Sequence, residues 1–146
     1  MATHSAPDLN TKPLPMGGYG NAALVYGSVT PTSGAVASVY RPVRIPAGMT
    51  VTGLKINNDD LDAGGTLFAV KIGYTPVSAA DGPVGDDDYF SPATTILSAP
   101  NLTDLRFPPL KFEKDVYVDL TVTVAATTFV GGTITAIVTG DATGVK

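Results

Sequence analysis

Between positions 116 and 124 the chain alternates without a break. Val116, Val118, Leu120, Val122 and Val124 share one parity, and Asp115, Tyr117, Asp119, Thr121 and Thr123 share the other. A side-chain period of two belongs to a pleated strand, and one aliphatic face against one polar or amphipathic face predicts a half-buried antiparallel strand. The five aliphatic residues are expected to face a core.

The composition extends this reading to the whole chain. Of 146 residues, 16 are Val, 6 Ile and 19 Thr, whereas Glu occurs once and Gln never. β-Branched residues that pack well on a pleat replace the strong surface helix formers. Sixteen Gly and 12 Pro punctuate the chain often enough for many short strands joined by turns, which favours a sandwich or barrel. The length suits one domain that hides roughly 70% of the surface its unfolded chain exposes, with no staple required. With no cysteine, a disulfide framework, a thiolate zinc site and a cysteine nucleophile are all excluded. Nine basic and 13 acidic residues give a net charge of −4, which argues against a dedicated nucleic-acid or anionic-membrane surface. No uncharged run approaches the roughly 20 apolar residues of a membrane span. The opening Met1-Ala2-Thr3-His4-Ser5 lacks the basic and apolar regions of a secretion signal.

The expected organisation is an extended N-terminal arm, residues 1–18, before one β-sandwich domain, residues 19–146. In the arm, Pro7, Pro13 and Pro15 remove backbone donors and fix φ, so neither a helix nor a central strand fits. Leu9, Leu14 and Met16 are its apolar residues, spaced to enter separate shallow pockets on a partner. The bland alternative is a disordered polar tail. In the body, strands are expected over 22–29, 34–40, 49–56, 67–74, 94–97, 116–124 and 133–139, with a short continuation at 43–45, about eight in all. Met49 and Val51 lie on one parity but Leu54 and Ile56 on the other, a slip that a bulge at Gly53 would reconcile. Residues 75–93 read as an acidic loop around Asp86-Asp87-Asp88, and residues 98–109 as a proline-bearing loop. The leading architecture is an all-β, antiparallel, jelly-roll-like sandwich.

No constellation for catalysis stands out. A Ser-His-Asp triad would have to use His4, the one histidine, in the arm. No pair of carboxylates is marked for acid–base work, and no glycine-rich phosphate loop is present. Asp59, Asp60 and Asp62 suggest a calcium loop at first sight. Aligning Asn58, Asp60 and Asp62 with EF-hand ligand positions puts Ala63 at the required glycine and Ala69 at the bidentate Glu, which excludes that motif. A solvated Asx turn is the simpler reading. Asn101-Leu102-Thr103 matches a glycosylation tripeptide without a secretory context. No catalytic, metal or cofactor residue is therefore assigned, and no cofactor is expected. Tyr19, Tyr26, Tyr40, Tyr74, Tyr89, Phe90 and Tyr117 could form a sugar-stacking platform, although such platforms rely on tryptophan, of which there is none. Arg106-Phe107-Pro108-Pro109-Leu110 is the best candidate for a partner contact: apolar, stiff and carrying an Arg. Its alternative is a buried loop that caps one end of the sandwich.

The run from Val43 through Ile45-Pro46-Ala47-Gly48 to Leu54, then Asp59-Asp60-Leu61-Asp62-Ala63-Gly64-Gly65-Thr66-Leu67, then Val70-Lys71-Ile72-Gly73-Tyr74-Thr75, resembles the capsid cement, or head decoration, proteins of tailed bacteriophages. The likeness spans roughly residues 20–90, including Tyr89-Phe90. The resemblance implies a jelly-roll fold and no enzymatic activity. It implies a place on the outer surface of the phage head, bound to an assembled shell of major capsid protein and to further copies of itself as a dimer or trimer. Neither nucleic acid nor membrane is an implied partner. The rival class is a carbohydrate- or receptor-binding β-sandwich module of a phage tail or fibre.

Overall fold

A computed structural model describes residues 1–11, 22–64 and 67–144. Among these residues the chain forms eleven strands: β1 (Thr3–Ser5), β2 (Ala22–Val29), β3 (Val39–Arg41), β4 (Arg44–Ile45), β5 (Met49–Asn58), β6 (Ala69–Pro76), β7 (Asp86–Thr94), β8 (Asn101–Leu105), β9 (Leu110–Phe112), β10 (Val116–Val124) and β11 (Ile134–Ala142). A single 3-10 turn, Ile96–Ser98, lies between β7 and β8. The strands build two sheets. One runs β1-β3-β10-β6-β7, with β4 also paired to β10, and the other runs β2-β11-β5-β8, with β9 also paired to β5. Every pairing is antiparallel except β1 with β3, which is parallel. The result is the expected all-β, jelly-roll-like sandwich, with eleven strands among the described residues where the sequence pattern suggests about eight.

The alternation in β10 does what its period requires. Val116, Val118, Leu120 and Val122 are fully buried, and β10 sits between β3 or β4 on one side and β6 on the other. Val124 is the exception: it is 45% exposed, because the register against β6 shifts between Val122 and Val124. That irregularity breaks the two-residue period, so Val124 does not face the core as expected. In the second sheet β5 and β11 pair with a register shift where Thr139 opposes Gly53 and Gly140 opposes Val51. Thr52 is the extra residue. Met49, Val51, Leu54 and Ile56 are consequently all buried on one face, which is how the slip at Gly53 resolves.

Two expected loops are strands. Asp86–Thr94 is β7, the edge of its sheet, and Asn101–Leu105 is β8, paired along β5. An edge strand tolerates Asp86, Asp87, Asp88 and Pro92 because one side of its ladder faces water, and both devices discourage further pairing. Pairing of β7 with β6 is irregular, with two register shifts. At Gly73 the backbones approach so closely that a Cβ would collide with Asp86 and Asp87. The predicted strand over 94–97 is replaced by the end of β7 and the 3-10 turn. The predicted strand over 34–40 shrinks to Val39–Arg41, preceded by Ala37 in the left-handed region at φ 63°.

Candidate functional site

The segment expected to be an arm is described as far as residue 11. Thr3–Ser5 pairs in parallel with Val39–Arg41, extended by Val39 N donating to Ala2 O at 2.9 Å and Ala6 N to Arg41 O at 2.9 Å. Ala6 is buried. Two tight turns follow, closed by Leu9 N to Ala6 O and Thr11 N to Asp8 O, both 3.1 Å. The Tyr117 hydroxyl donates to Asn10 Oδ1 at 2.9 Å, which holds the second turn beside β10. Leu9 is half-buried there, in a shallow hollow of about 440 Å³ shared with Arg41 and Tyr117. Leu14 and Met16 lie outside the described residues.

The floor of this region is a closed polar cluster. Arg41 Nε and Nη2 donate to the two carboxylate oxygens of Asp119 at 2.9 and 3.2 Å, and Thr75 Oγ1 donates to Asp119 Oδ2 at 2.8 Å. The Arg41 guanidinium also lies 5.0 Å from the centre of the Tyr117 ring. Asp119 stands on the outward parity of β10 yet is only 3% exposed, because Arg41 folds over it. A buried carboxylate with a bidentate arginine and a hydroxyl donor is satisfied as an ion, so this cluster is structural and offers no free base.

The Arg106–Leu110 loop connects β8 to β9 across the far edge of the sandwich from β1, so the structure does not bring it beside Leu9. Its residues divide by direction. Phe107 turns in: its ring centre is 4.8 Å from that of buried Phe90, edge to face, and 6.2 Å from that of Tyr89. Tyr89 and Phe112 in turn meet Tyr74 edge to face at 5.7 and 4.9 Å. This aromatic cluster closes the gap between the β6–β7 edge of one sheet and β8–β9 of the other. The Tyr89 hydroxyl donates to Pro108 O at 2.9 Å and fixes the loop from outside. Burial pushes the Tyr74 phenol upward, with Asp86 and Tyr89 adding to the effect. Leu110 is half-buried against the core, whereas Arg106, Pro108 and Pro109 are exposed. The loop is thus both a cap, through Phe107 and Leu110, and a stiff outward tip carrying Arg106. Sequence spacing could not reveal this cluster, since its members come from three separate strands and a loop.

The aspartates of the 59–62 turn each accept a backbone donor. Asp59 Oδ2 accepts from Thr133 N at 2.8 Å, Asp60 Oδ1 from Asp62 N at 2.9 Å, and Asp62 Oδ1 from Thr128 N at 2.8 Å. The Thr128 amide, with those of Thr127 and Gly64, holds the Asp62 carboxyl below the usual range against the opposing effect of burial. Asp62 therefore ties the 61–64 turn to the 126–130 connection, helped by the bridge between Asp62 and Phe129. Among the described residues the carboxylates whose oxygens gather within 4.8 Å are Asp86, Asp87 and Asp88. They are exposed, and Asp87 and Asp88 face Lys71 Nζ at 3.3 and 3.7 Å.

The tyrosines do not form a common platform. Tyr40 is buried with its hydroxyl donating to Ser33 O at 2.7 Å, Tyr74 and Tyr89 belong to the aromatic cluster, Tyr117 lies under Arg41, and Tyr26 stands on the outer face of β2. Tyr19 lies outside the described residues.

The architecture and its surfaces define a jelly-roll-like β-sandwich. No family model matches the chain, and no characterised protein matches it by sequence. Solved structures do match it. A chain of the capsid of Ralstonia phage GP4 is similar with a TM-score of 0.79 at 15% identity, over 96% of this chain and 97% of that one. A chain of the Cyanophage Pam1 capsid asymmetric unit gives 0.68 at 23% identity, over 92% and 98%. A chain of the acid-stable capsid of the Helicobacter pylori bacteriophage KHP30 gives 0.54 at 15% identity, over 81% and 86%.

Proposed function

We propose that the chain is a structural virion protein that binds the outside of an assembled phage capsid and cements neighbouring major capsid protein subunits, stabilising the head. The observation that carries this reading is the likeness to the GP4 capsid chain, nearly complete in both directions at 96% and 97%. Mutual coverage means that the neighbour is a sandwich of the same size, not a domain within a larger shell-forming subunit. The Pam1 chain repeats the pattern at 92% and 98%. Fold alone does not fix function, and the surface supports the same reading. The buried Asp119 carboxylate is paired with Arg41, and each aspartate of the 59–62 turn accepts a backbone donor. Such a protein acts through contact and not through chemistry.

In this reading the partners are the major capsid protein and further copies of the chain. The chain is pinned along β3 and β10 as far as residue 11, with Leu9 seated in its own hollow, so in this reading the contact of the arm with a neighbouring subunit is made beyond that point, through Leu14 and Met16. Arg106 at the stiff tip of its loop makes a second contact, braced from within by Phe107 and Leu110. Each contact is modest, but two contacts per copy repeated over a shell add by avidity. The test is to incubate the protein with empty heads assembled without it and sediment the particles. Saturable co-sedimentation is expected, reduced by Arg106→Ala and by removal of residues 12–18. Recovery of the protein only in the supernatant at large excess overturns the proposal.

A further inference from the structure

We infer that β2 is a self-pairing edge, through which two copies of the chain join antiparallel about a twofold axis at Val25. The starting observation is a contrast among the sheet edges. β7 carries three aspartates, a proline and two register shifts; β8 has five residues including Asp104; β1 has three residues. These are the devices by which sheets blunt an edge. β2 has none of them. It is eight residues long, pairs with β11 in unbroken register, and contains no charge and no proline. Among the described residues β11 is its one paired strand, and no backbone hydrogen bond from a described loop reaches it.

The strand is also self-complementary. Its burial alternates strictly, with Ala23, Val25, Gly27 and Val29 inward and Leu24, Tyr26 and Ser28 outward. A pairing that keeps inward residues opposite inward ones needs a twofold axis through a residue, not between two, because a one-residue slip exchanges the faces. An axis at Val25 sets Leu24 opposite Tyr26 of the second copy, twice, and Ala23 opposite Gly27, twice. Leu24 and Tyr26 are 53% and 52% exposed, so the pairing brings an aromatic and an aliphatic side chain together across the new ladder. An axis at Tyr26 would instead leave Leu24 opposite Ser28. The strand itself carries no charge to oppose two identical edges meeting. The second sheet then runs unbroken through both copies, and a dimer delivers two arms and two Arg106 tips to a shell. This gives the self-association in the proposed function a definite surface. Its test uses free protein without capsids, so the two can fail separately.

The test is sedimentation velocity on three proteins: wild type, Leu24→Lys with Tyr26→Lys, and Leu24→Lys with Tyr26→Glu. Both positions face solvent, and each variant's thermal melt checks that the sandwich is intact. Wild type is expected to be dimeric at about 100 μM. The double lysine places like charges directly opposite at both pairs and should weaken association at least about tenfold. The lysine–glutamate variant places opposite charges at those same pairs and should restore the dimer; with the axis at Tyr26 it would set Glu against Glu. Amide exchange of 22–29 in wild type should slow as concentration rises. A monomeric wild type, a double lysine that dimerises like wild type, or exchange at 22–29 independent of concentration overturns the inference. Failure of the lysine–glutamate variant to dimerise overturns the axis at Val25.

Discussion

Leu120 is the residue whose removal the fold should feel most sharply. It is fully buried at the centre of β10, directly opposite Tyr40 of β3 and Ile72 of β6, both of which are also fully buried. Leu120→Ala removes three carbons, or about 2.4 kcal/mol of transfer energy at roughly 0.8 per group. Paired strands on both sides prevent collapse, and a retained void of about 50 Å³ adds ~1.2 kcal/mol at roughly 24 cal/mol per Å³. The expected loss is therefore about 3.5 kcal/mol, or a Tm lower by ~10 °C for a domain of this size. Thr121→Ala, on the outward parity of the same strand, should change stability by less than about 0.5 kcal/mol. Val124→Ala should behave like Thr121→Ala, because the shift after Val122 turns Val124 outward. Urea denaturation with a common m-value measures all three. Comparable losses at Leu120 and Thr121 would refute the facing of β10, and a large loss at Val124 would refute the bulge.

Asp62→Asn should lower the Tm at neutral pH and flatten its fall in acid. The Asp62 carboxyl titrates lower in the folded chain than in the unfolded one, first through the Thr128 amide, so its contribution is present above the ordinary Asp range and lost as pH drops through the folded value; an unchanged acid limb in thermal melts from neutral to acid pH would count against that role. Phe107→Ala should cost about 2 kcal/mol, since half of a ring packed on Phe90 is lost, while Arg106→Ala should leave the Tm within about 1 °C and act only on capsid binding. Gly27→Ala should destabilise by about 1–3 kcal/mol, because a Cβ there meets the Pro42 carbonyl across the sandwich; a neutral effect in the same denaturation assay would show that the sheets can part at that point.

The parts of this fold that the sequence made legible are those where burial on one face dictated every second residue. Val116 through Val122 is such a run, and the parity slip at Gly53 revealed a bulge because both halves of β5 face the same core. What stayed hidden depended on partners distant in sequence. Asp86–Asp88 looked like a loop because charge repels water exclusion, yet an edge strand excludes water on one side only. Thr3–Ser5 is too short to show a period and is a strand only because Val39–Arg41 offers it a ladder. Asp119 sits at an outward position and is buried only because Arg41, 78 residues earlier, covers it. The candidate loop at 106–110 was visible as a stiff apolar segment. That Phe107 points in and Arg106 out was not, because the aromatic cluster receiving Phe107 comes from elements scattered along the chain.

Electron cryomicroscopy of empty heads incubated with the purified chain tests the proposal that this sandwich is a capsid-binding structural protein. Icosahedrally ordered density is expected on the outer surface, of the size and two-sheet shape of this domain, with an extension from the β1 side reaching a neighbouring subunit. Heads that show no added density at saturating protein, or density confined to the interior or to the tail, would contradict it.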